Sequence, residues 1–281
     1  MTIALIDMDV VVYMCGFASQ HTVYHCKDAS GSTTTYRRIS YQKLLKELLD
    51  SGINISTLTI EPEIIVDPIS HCLQKVNNLI GDIVATTKAS GYKGFLSTTS
   101  DKTLFRLSYA KTKEYKGNRK DFKKPHHYGT IRDYLALKHN TDVVEGIEAD
   151  DALGIYQCSL MEPGMGIICS IDKDLLQIPG KHYNFKKREF YDIDMFNSFH
   201  NFYMQVLMGD KADNIPGLFK IGPSKAKQIL EGCKTSLEMY EKCIKAYKLY
   251  SKMQDHMLYL HEMCHLLYIL RGYNDSWRVP E

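Results

Sequence analysis

The hydrophobic positions of this sequence follow one pattern up to about residue 193 and another beyond it. In the first, short apolar runs typical of buried strands alternate with stretches whose apolar residues recur every three or four positions, as in helices. The predicted strands cover residues 3–6, 94–98, 142–144 and 166–169, and the predicted helices cover residues 69–89, 128–139 and 148–161. This alternation predicts an α/β fold with a mostly parallel central sheet flanked by helices.

The second pattern, from about residue 194, is helical only. The predicted helices cover residues 201–208, 224–231, 236–250 and 252–271. We therefore expect an α/β core over residues 1–193 and a C-terminal helical region over residues 194–281. An insertion at about residues 20–66 interrupts the core, with a hairpin at 21–39, a helix at 41–49 and a strand at 55–60. No role for this insertion is evident from its sequence.

Composition limits the class of protein. With 281 residues, 44% hydrophobic and 24% charged, the chain is typical of globular proteins and not of disordered or fibrous ones. It contains no apolar run long enough to span a membrane, and the acid at position 7 leaves no room for a signal peptide. Eight cysteines, none within nine residues of another, predict buried reduced thiols and a cytoplasmic location.

Acidic residues follow the predicted strands, where the carboxyl ends of parallel strands form a ligand-binding edge. The acids at these strand ends are Asp7, Asp101, Glu148, Asp150, Asp151, Asp172 and Asp174. A helix dipole accounts for one or two acids in a first turn, but three in one turn repel one another. Mg²⁺ or Mn²⁺ would remove that repulsion, and two such ions can promote phosphodiester hydrolysis. The pattern therefore favours a two-metal site over helix capping.

A basic stretch lies between two of these acids. Residues 88–130 contain eleven Lys and Arg against three acids, a local charge of +8 in a chain of net charge +2, with aromatic residues interleaved. Basic side chains hold phosphates and aromatic faces stack on unpaired bases. A solvated lysine-rich helix is the alternative for such a run, but its place in the chain favours guidance of a polyanion to the acids.

A glycine turn, residues 209–222, separates two predicted helices and makes a helix–hairpin–helix at residues 201–231. Its Gly-x₄-Gly spacing, Gly217 to Gly222, is followed by Pro-Ser-Lys. Such a turn directs backbone N–H groups outward, a setting that favours phosphate. An ordinary helix–helix connection is the alternative. Contacts of this kind carry no base code, so we expect binding that is independent of nucleic-acid sequence.

Together these motifs resemble the structure-specific 5′-nuclease (flap endonuclease) superfamily, especially bacteriophage 5′→3′ exonucleases and the 5′-nuclease domain of bacterial family-A DNA polymerases. The segments that carry the resemblance are Leu5-Ile6-Asp7, Ser100-Asp101 with residues 105–106 and 114–119, residues 148–151, residues 171–177, and the glycine turn. They cover about half of the chain. The fold implied is a PIN-like nuclease core with a helical arch at about residues 102–130.

The resemblance also implies roles for particular residues. One metal ion would be held by Asp7, Asp101, Glu148, Asp150 and Asp151, and a second by Asp172, Asp174, Asp213 and Asp210. In the arch, Lys116 and Arg119 would steer the scissile phosphate, Arg106 would support it, and Tyr115 would stack on the end nucleotide. Further nucleic-acid contacts would come from Lys111, Lys113, Lys120, Gly217, Gly222, Ser224 and Lys225. A K⁺ ion at the glycine turn is also implied.

The activity implied is a metal-dependent 5′→3′ exonuclease or flap endonuclease acting on 5′ ends or flaps of duplex DNA, or on RNA–DNA hybrids, in phage DNA replication or degradation. The sequence departs from the family pattern in three places. Asp9 adds an acid, Phe219-Lys220 replaces the usual Lys-Gly, and residues 20–66 have no counterpart.

Two other functions compete. Residues 261–265 match the HExxH pattern of zinc metalloproteases, but no convincing third ligand follows among the last 16 residues. A non-catalytic DNA-binding module would use only the glycine turn and the basic stretch. The ordered acids argue against such a module, because they would repel DNA at that edge.

Overall fold

The computed structural model of the protein describes residues 1–99, 101–160 and 164–281, with the side chain of Asp101 outside the description. The chain divides into two compact units. The first contains residues 1–10, 80–123 and 135–281, and the second contains residues 11–79 and 124–134. Neither unit begins or ends at residue 193, and the domain boundary expected there stays a prediction.

Over the described residues the chain forms the following elements. The strands are β1 (Ile3–Asp7), β2 (Gln20–Lys27), β3 (Thr33–Arg37), β4 (Thr59–Val66), β5 (Gly91–Ser97), β6 (Thr141–Val144), β7 (Gly166–Cys169), β8 (Gly180–Asn184) and β9 (Glu189–Ile193). The α-helices are α1 (Met8–Phe17), α2 (Tyr41–Asp50), α3 (Ile69–Thr87), α4 (Arg106–Tyr109), α5 (Tyr128–Lys138), α6 (Ala149–Ser159), α7 (Met195–Met208), α8 (Pro223–Leu230), α9 (Ser236–Tyr250) and α10 (His256–Leu267). None of these described helices has the length and apolarity needed to cross a membrane.

The first unit is built on a six-stranded sheet in the order β6-β5-β1-β7-β8-β9. The first five strands in this order run parallel to one another, and only β9, which pairs with β8, is antiparallel. The central strand β7 is buried along its whole length, which is why it reads as a continuous apolar run. The predicted α/β fold with a mostly parallel sheet is confirmed. The carboxyl ends of β6, β5, β1 and β7 consequently lie at one edge.

The C-terminal helices of the same unit form a second core. Helix α7 contributes Phe202, Tyr203, Val206 and Leu207, spaced so that they share one buried face. The prediction for the last helix was too long, because Asp255 caps the N-terminus of α10 by accepting from the backbone N–H groups of Met257 and Leu258. The side chain of Trp277, beyond α10, is buried in this core.

The second unit contains the insertion predicted from the sequence. Strands β3, β2 and β4 form an antiparallel sheet in that order, and α2 adds Leu44 and Leu48 to a small core with Cys26. Residues 55–57 form a 3₁₀ turn instead of the start of a strand, because the Asn54 side chain accepts from Ser56 N–H. Pro62 lies on edge strand β4, where the lack of an N–H costs least.

The cysteines match the expectation of reduced thiols. All eight are free, and only Cys158 is exposed. Burial raises the pKa of the Cys15 thiol to about 12, which makes it an inert core residue.

The segment predicted as a helical arch differs in the structure. Between residues 102 and 127 the only α-helix is the single turn α4, with 3₁₀ turns at Asp101–Thr103 and Gly117–Arg119. The contacts that hold this segment in place are with the acidic residues described next.

Candidate metal centre and nucleic-acid interface

Four carboxylates converge where parallel strands end. Asp7 is the last residue of β1, Asp150 lies in the first turn of α6, and Asp172 and Asp174 follow β7. We call these four residues the acid cluster. The four carboxylates are close enough to interact, since burial and the negative charges of the other three raise the pKa of Asp150. The sheet edge inferred from the sequence therefore brings these acids together.

Asp7 is held in place by hydrogen bonds at both carboxylate oxygens. Its Oδ2 accepts from Ser170 Oγ at 2.7 Å and its Oδ1 accepts from Val10 N–H at 3.1 Å. Burial, the negative charge of Asp9 and, to a smaller degree, Asp172 raise the pKa of Asp7 to about 7. The extra acid, Asp9, has a backbone role of its own, since its Oδ2 accepts from Ser97 N–H at 3.0 Å.

Ser170 was missed by sequence reasoning. It follows β7 directly, and its Oγ both donates to Asp7 and accepts from Asp172 N–H at 3.0 Å. One hydroxyl thereby couples the acid at the end of β1 to the acid after β7. A small polar residue immediately after a buried strand was the only available signal.

Asp174 is supported by a relay of amides. Asp174 N–H donates to Asp172 Oδ1 at 2.8 Å, and the Gln205 amide donates to the Asp174 carboxylate. Gln177 in turn donates to Gln205 Oε1 at 2.5 Å and to Leu267 O at 2.8 Å. Burial, Asp172 and the adjacent Asp210 raise the pKa of Asp174 to about 8. A glutamine on the buried face of α7 is the signal that could have identified this support.

Asp150 differs from its neighbours because no hydrogen bond from the described residues reaches its carboxylate. Burial and the surrounding negative charges raise its pKa well above the ordinary value. The residue is half-buried, and a carboxylate held among other negative charges is costly unless a cation or a proton neutralises it. This residue is consequently the strongest candidate ligand of the set.

A basic loop, residues 111–120, packs against the remaining acids. Lys116 Nζ pairs with Glu148 and Arg119 pairs with Asp213, while Lys116 N–H donates to Asp213 O at 2.9 Å. The backbone of Lys116 is left-handed, with φ of 56°, which turns the loop. Burial lowers the pKa of the Lys116 ammonium. These ion pairs explain why the segment is folded in and is not an extended helical arch.

Tyr115 is placed differently from its predicted role. The side chain is only 6% exposed, and its hydroxyl lies 2.6 Å from Glu148 Oε2 and 3.0 Å from Asp213 Oδ2, either of which can accept its one proton. A ring buried in this way cannot stack on a nucleotide. Tyr115 instead joins the acid at the start of α6 to the acid in the glycine turn.

Arg106 and Asp151 form a buried pair, which contradicts the roles expected for both. Arg106 donates to the two oxygens of Asp151 at 2.5 and 2.8 Å and also pairs with Glu148 at 3.1 Å. Asp151 is fully buried and further accepts from the N–H groups of Glu148 and Leu270. Arg106 also donates to two backbone carbonyl groups and therefore has no free donor for a phosphate, and Asp151 completes the capping box of α6 from its N3 position with its oxygens already engaged.

The other predicted nucleic-acid contacts are exposed or lie in the glycine turn. The side chains of Lys111 and Lys113 are exposed, and Lys120 pairs with Glu114 in solvent at 2.8 Å. Gly222 caps α8, whose first residues include Ser224 and Lys225. Gly217 has φ of 58°, and a Cβ there would lie 2.2 Å from Gly209 N, so this position of the turn requires glycine.

The HExxH pattern on α10 is structural. Glu262 is buried and accepts from the N–H groups of Lys111 and Thr112 and from the Thr112 hydroxyl, which anchors the start of the basic loop. His265 stacks on Tyr109 and His261 bonds to the Tyr240 hydroxyl. The contacts of these side chains therefore pack the helix and anchor the basic loop. They do not support the zinc metalloprotease alternative.

Whether the acids fit a metal depends on their donor chemistry. Within the described ranges, no three His, Cys, Asp or Glu side chains are arranged to hold an ion. Several of the acid oxygens are turned toward Arg106, Lys116 and Arg119. The acid cluster nevertheless offers only carboxylate oxygens, raised in pKa by mutual repulsion, and such oxygens fit hard divalent cations. The side chain of Asp101, a predicted metal ligand, is outside the part of the chain that the structure describes.

The stability of the metal-free protein should fall as the pH rises. Asp7 and Asp174 have pKa values of about 7 and about 8 in the folded chain, above the ordinary 3.8, so the folded state binds more protons than the unfolded state. Their contribution to the free energy of unfolding consequently decreases between about pH 4 and pH 8. Urea unfolding in EDTA at pH 5 and pH 8 would measure this, and Asp174→Asn should reduce the difference. An unchanged difference in that variant would contradict the assignment.

Comparison with known proteins supports the resemblance. No family model matches the chain. A protein named 5'-3' exonuclease from Mycoplasmopsis pulmonis (strain UAB CTIP) is 30% identical over 155 residues, which cover 50% of this chain and 52% of that protein. Flap endonuclease Xni from Shewanella amazonensis (strain ATCC BAA-1098 / SB2B) is 31% identical over 103 residues, 33% of this chain and 41% of that protein. DNA polymerase I from Rhizobium leguminosarum is 34% identical over 97 residues, 31% of this chain and 10% of that protein.

Solved structures share the fold. The T5 5'-exonuclease with bound divalent zinc ions aligns with a TM-score of 0.55 at 16% identity, covering 95% of this chain and 89% of that one. The T5 D15 protein co-crystallised with metal ions aligns with a TM-score of 0.52 at 17% identity, covering 95% and 86%. The chain thus has the T5 5'-exonuclease fold, and the resemblance to 5′-nucleases is confirmed. The matched segments span about half the length of the curated exonuclease and less of the other two relatives.

Proposed function

We propose that this protein is a metal-dependent 5′→3′ nuclease that hydrolyses phosphodiester bonds near 5′ ends or flap junctions of duplex DNA. The observation that carries the proposal is the acid cluster at the carboxyl ends of parallel strands, with a basic loop packed beside it. The names of the sequence relatives and the shared T5 5'-exonuclease fold support the same class of reaction.

The metal-binding residues follow from the donor set. We assign one Mg²⁺ or Mn²⁺ to Asp7, Asp150 and Glu148, with Asp101, and a second to Asp172 and Asp174, with Asp210 and Asp213. Asp151 is omitted because Arg106 occupies both of its oxygens. When bound, the ions supply a water of lowered pKa and stabilise the leaving oxygen. The metal ions in the two T5 structures support a divalent cation for this chain as well.

The chain's own residues would bind and orient the strand. Lys116 pairs with Glu148 and Arg119 pairs with Asp213, and a bound phosphate would draw both cations away from these acids. The exposed lysines of the basic loop would hold the backbone farther out. Gly222 and the first turn of α8, with Ser224 and Lys225, would contact duplex phosphates through N–H groups, and a K⁺ ion at the glycine turn belongs to the same proposal.

Substrate range and biological setting are further parts of the proposal. Contacts to phosphates without base contacts favour cleavage that is independent of sequence, on duplex DNA or on RNA–DNA hybrids. The fold shared with the T5 enzyme supports a role in phage DNA replication or degradation, and eight free thiols fit a reducing cytoplasm.

A flap-cleavage assay tests the function. The full chain is incubated with a duplex that carries a labelled 5′ flap, in Mg²⁺ or Mn²⁺ and in EDTA, and the products are resolved by length. We expect cleavage near the junction that requires the divalent ion. Undiminished cleavage in EDTA would refute the metal mechanism. Binding without any cleavage would identify the non-catalytic DNA-binding module instead.

Lys116→Ala should slow cleavage far more than it weakens binding. We expect the cleavage rate to fall about 100-fold, because the ammonium acts where charge develops on the phosphate, while duplex affinity changes less than about threefold. Single-turnover cleavage and fluorescence anisotropy in EDTA measure the two quantities. Lys120→Ala, an exposed lysine paired with Glu114, is the matched control and should change neither strongly. Equal losses of rate and affinity for Lys116→Ala would reduce its role to a general backbone contact.

A further inference from the structure

A pocket of about 430 Å³ lies beside the glycine turn, and Lys211 and Asn214 of that turn are among the residues that line it. Its apolar floor includes Ile215, Leu218 and Tyr259, and its rim includes Phe219. Pockets of about 300–1,000 Å³ are typical of small-ligand sites. Apart from Lys113 of the basic loop and the backbone of the glycine turn, the residues that line this pocket have no role in the proposed function.

The charged residues that line the pocket are all positive. Three lysines line it, Lys113, Lys211 and Lys252, and no acid is among its described lining residues. All three side chains are exposed at the rim. A concave site with an apolar floor and a wholly cationic rim is complementary to a ligand that combines a flat apolar part with negative charge.

Phe219 supplies an aromatic face at this rim. The residue is 62% exposed, and the Nζ atoms of Lys220 and Lys252 lie 5.2 and 5.0 Å from its ring centroid. Single exposed apolar residues are common on protein surfaces, but this one sits within a cationic pocket. Lysines on flexible stems can move from the ring to a phosphate when a base takes their place.

The backbone below the ring is fixed. Gly217 packs on Gly209 in a left-handed conformation, Tyr259 donates to Gly217 O at 2.6 Å, and Leu218 N–H donates to Leu207 O at 2.9 Å. The aromatic side chain is therefore presented from a rigid turn, which reduces the ordering cost of binding.

We propose that this pocket binds one unpaired nucleotide of a DNA strand, with its base stacked on Phe219 and its phosphates held by Lys211 and Lys252. The inference rests on the proposed nuclease function for the identity of the polymer. Bases inside a duplex are already stacked on their neighbours, so an exposed ring selects a single-stranded segment. Stacking on an aromatic face tolerates any base, in keeping with binding that is independent of sequence.

Binding measurements in EDTA test the pocket apart from cleavage. The probes are labelled (dT)₁₀, a blunt duplex, and the same duplex with a (dT)₅ overhang. We expect Phe219→Ala to weaken binding of (dT)₁₀ and of the overhang duplex about tenfold, and binding of the blunt duplex less than twofold. Phe219→Tyr should restore affinity. Phe190→Ala is the matched control, because Phe190 is 54% exposed on β9 and outside the pocket.

A spectroscopic variant gives an independent readout. The chain has one tryptophan, Trp277, which is 7% exposed, so Phe219→Trp introduces a single exposed indole. Its emission should be quenched by (dT)₁₀ and not by the blunt duplex. Equal losses on all three probes, or no quenching, would overturn the proposal. Because these assays contain no metal, an inactive enzyme would refute the proposed function without deciding the pocket.

Discussion

Asp150→Asn should abolish cleavage while leaving the fold intact. Asp150 is the carboxylate that lacks a hydrogen bond from the described residues, and three other carboxylates of the cluster raise its pKa. Asparagine keeps the shape but removes the charge that would hold a divalent ion. We expect the single-turnover rate to fall by more than about 100-fold, because loss of even an outer-shell partner costs up to about that much. DNA affinity in EDTA should change only a few-fold.

The same substitution should not lower the stability of the metal-free protein. Burial and the surrounding negative charges raise the pKa of Asp150, which means that its ionised form is disfavoured, and a neutral amide removes that repulsion. Thermal unfolding in EDTA should give an equal or higher midpoint. Asp142→Asn is the matched control, because Asp142 is exposed, pairs with Lys93 and should affect neither rate nor stability strongly. Retained cleavage in Asp150→Asn, or collapse of its fold, would contradict the ligand role.

The sheet was predictable because its signals are local. Strand β7 is a four-residue apolar run, and an acid follows it within three residues. Burial on both faces requires such a run, and parallel strands place the following acids at one edge. Helix α1 and the β8–β9 hairpin were not predicted, since their apolar residues show no clear period.

The site was only partly predictable, because pairing between distant segments leaves no mark in the sequence. Asp150 and Asp151 are adjacent acids in one helical turn, yet Arg106 engages the second and leaves the first without a hydrogen bond. The role of Tyr115 was missed for the same reason, since its hydroxyl contacts Glu148 and Asp213, 33 and 98 residues away. Composition predicted either a solvated helix or a guide for a polyanion in the basic loop, and the family resemblance implied an arch. Its ion pairs with the acids fold it inward instead.

Arg106→Met should destabilise the protein by about 3–5 kcal/mol, the usual cost of leaving one member of a buried ion pair unpaired. The guanidinium joins Asp151 to the C-terminal segment, since it also donates to Leu266 O at 3.0 Å and Tyr268 O at 2.8 Å. Loss of these bonds leaves a fully buried carboxylate without its counter-ion and removes a donor from each of the two carbonyl groups. Urea unfolding measured by circular dichroism would show the expected lower midpoint.

Two further variants separate this structural role from the phosphate contact that the sequence suggested. Lys93→Met breaks the exposed pair with Asp142 and should cost no more than about 1 kcal/mol. The double variant Arg106→Met with Asp151→Leu should recover part of the lost stability, because an apolar pair can replace a buried ion pair. The recovery should be incomplete, since Asp151 also caps α6 through Glu148 N–H. Wild-type stability with lost cleavage in Arg106→Met would instead place this guanidinium at the reacting phosphate.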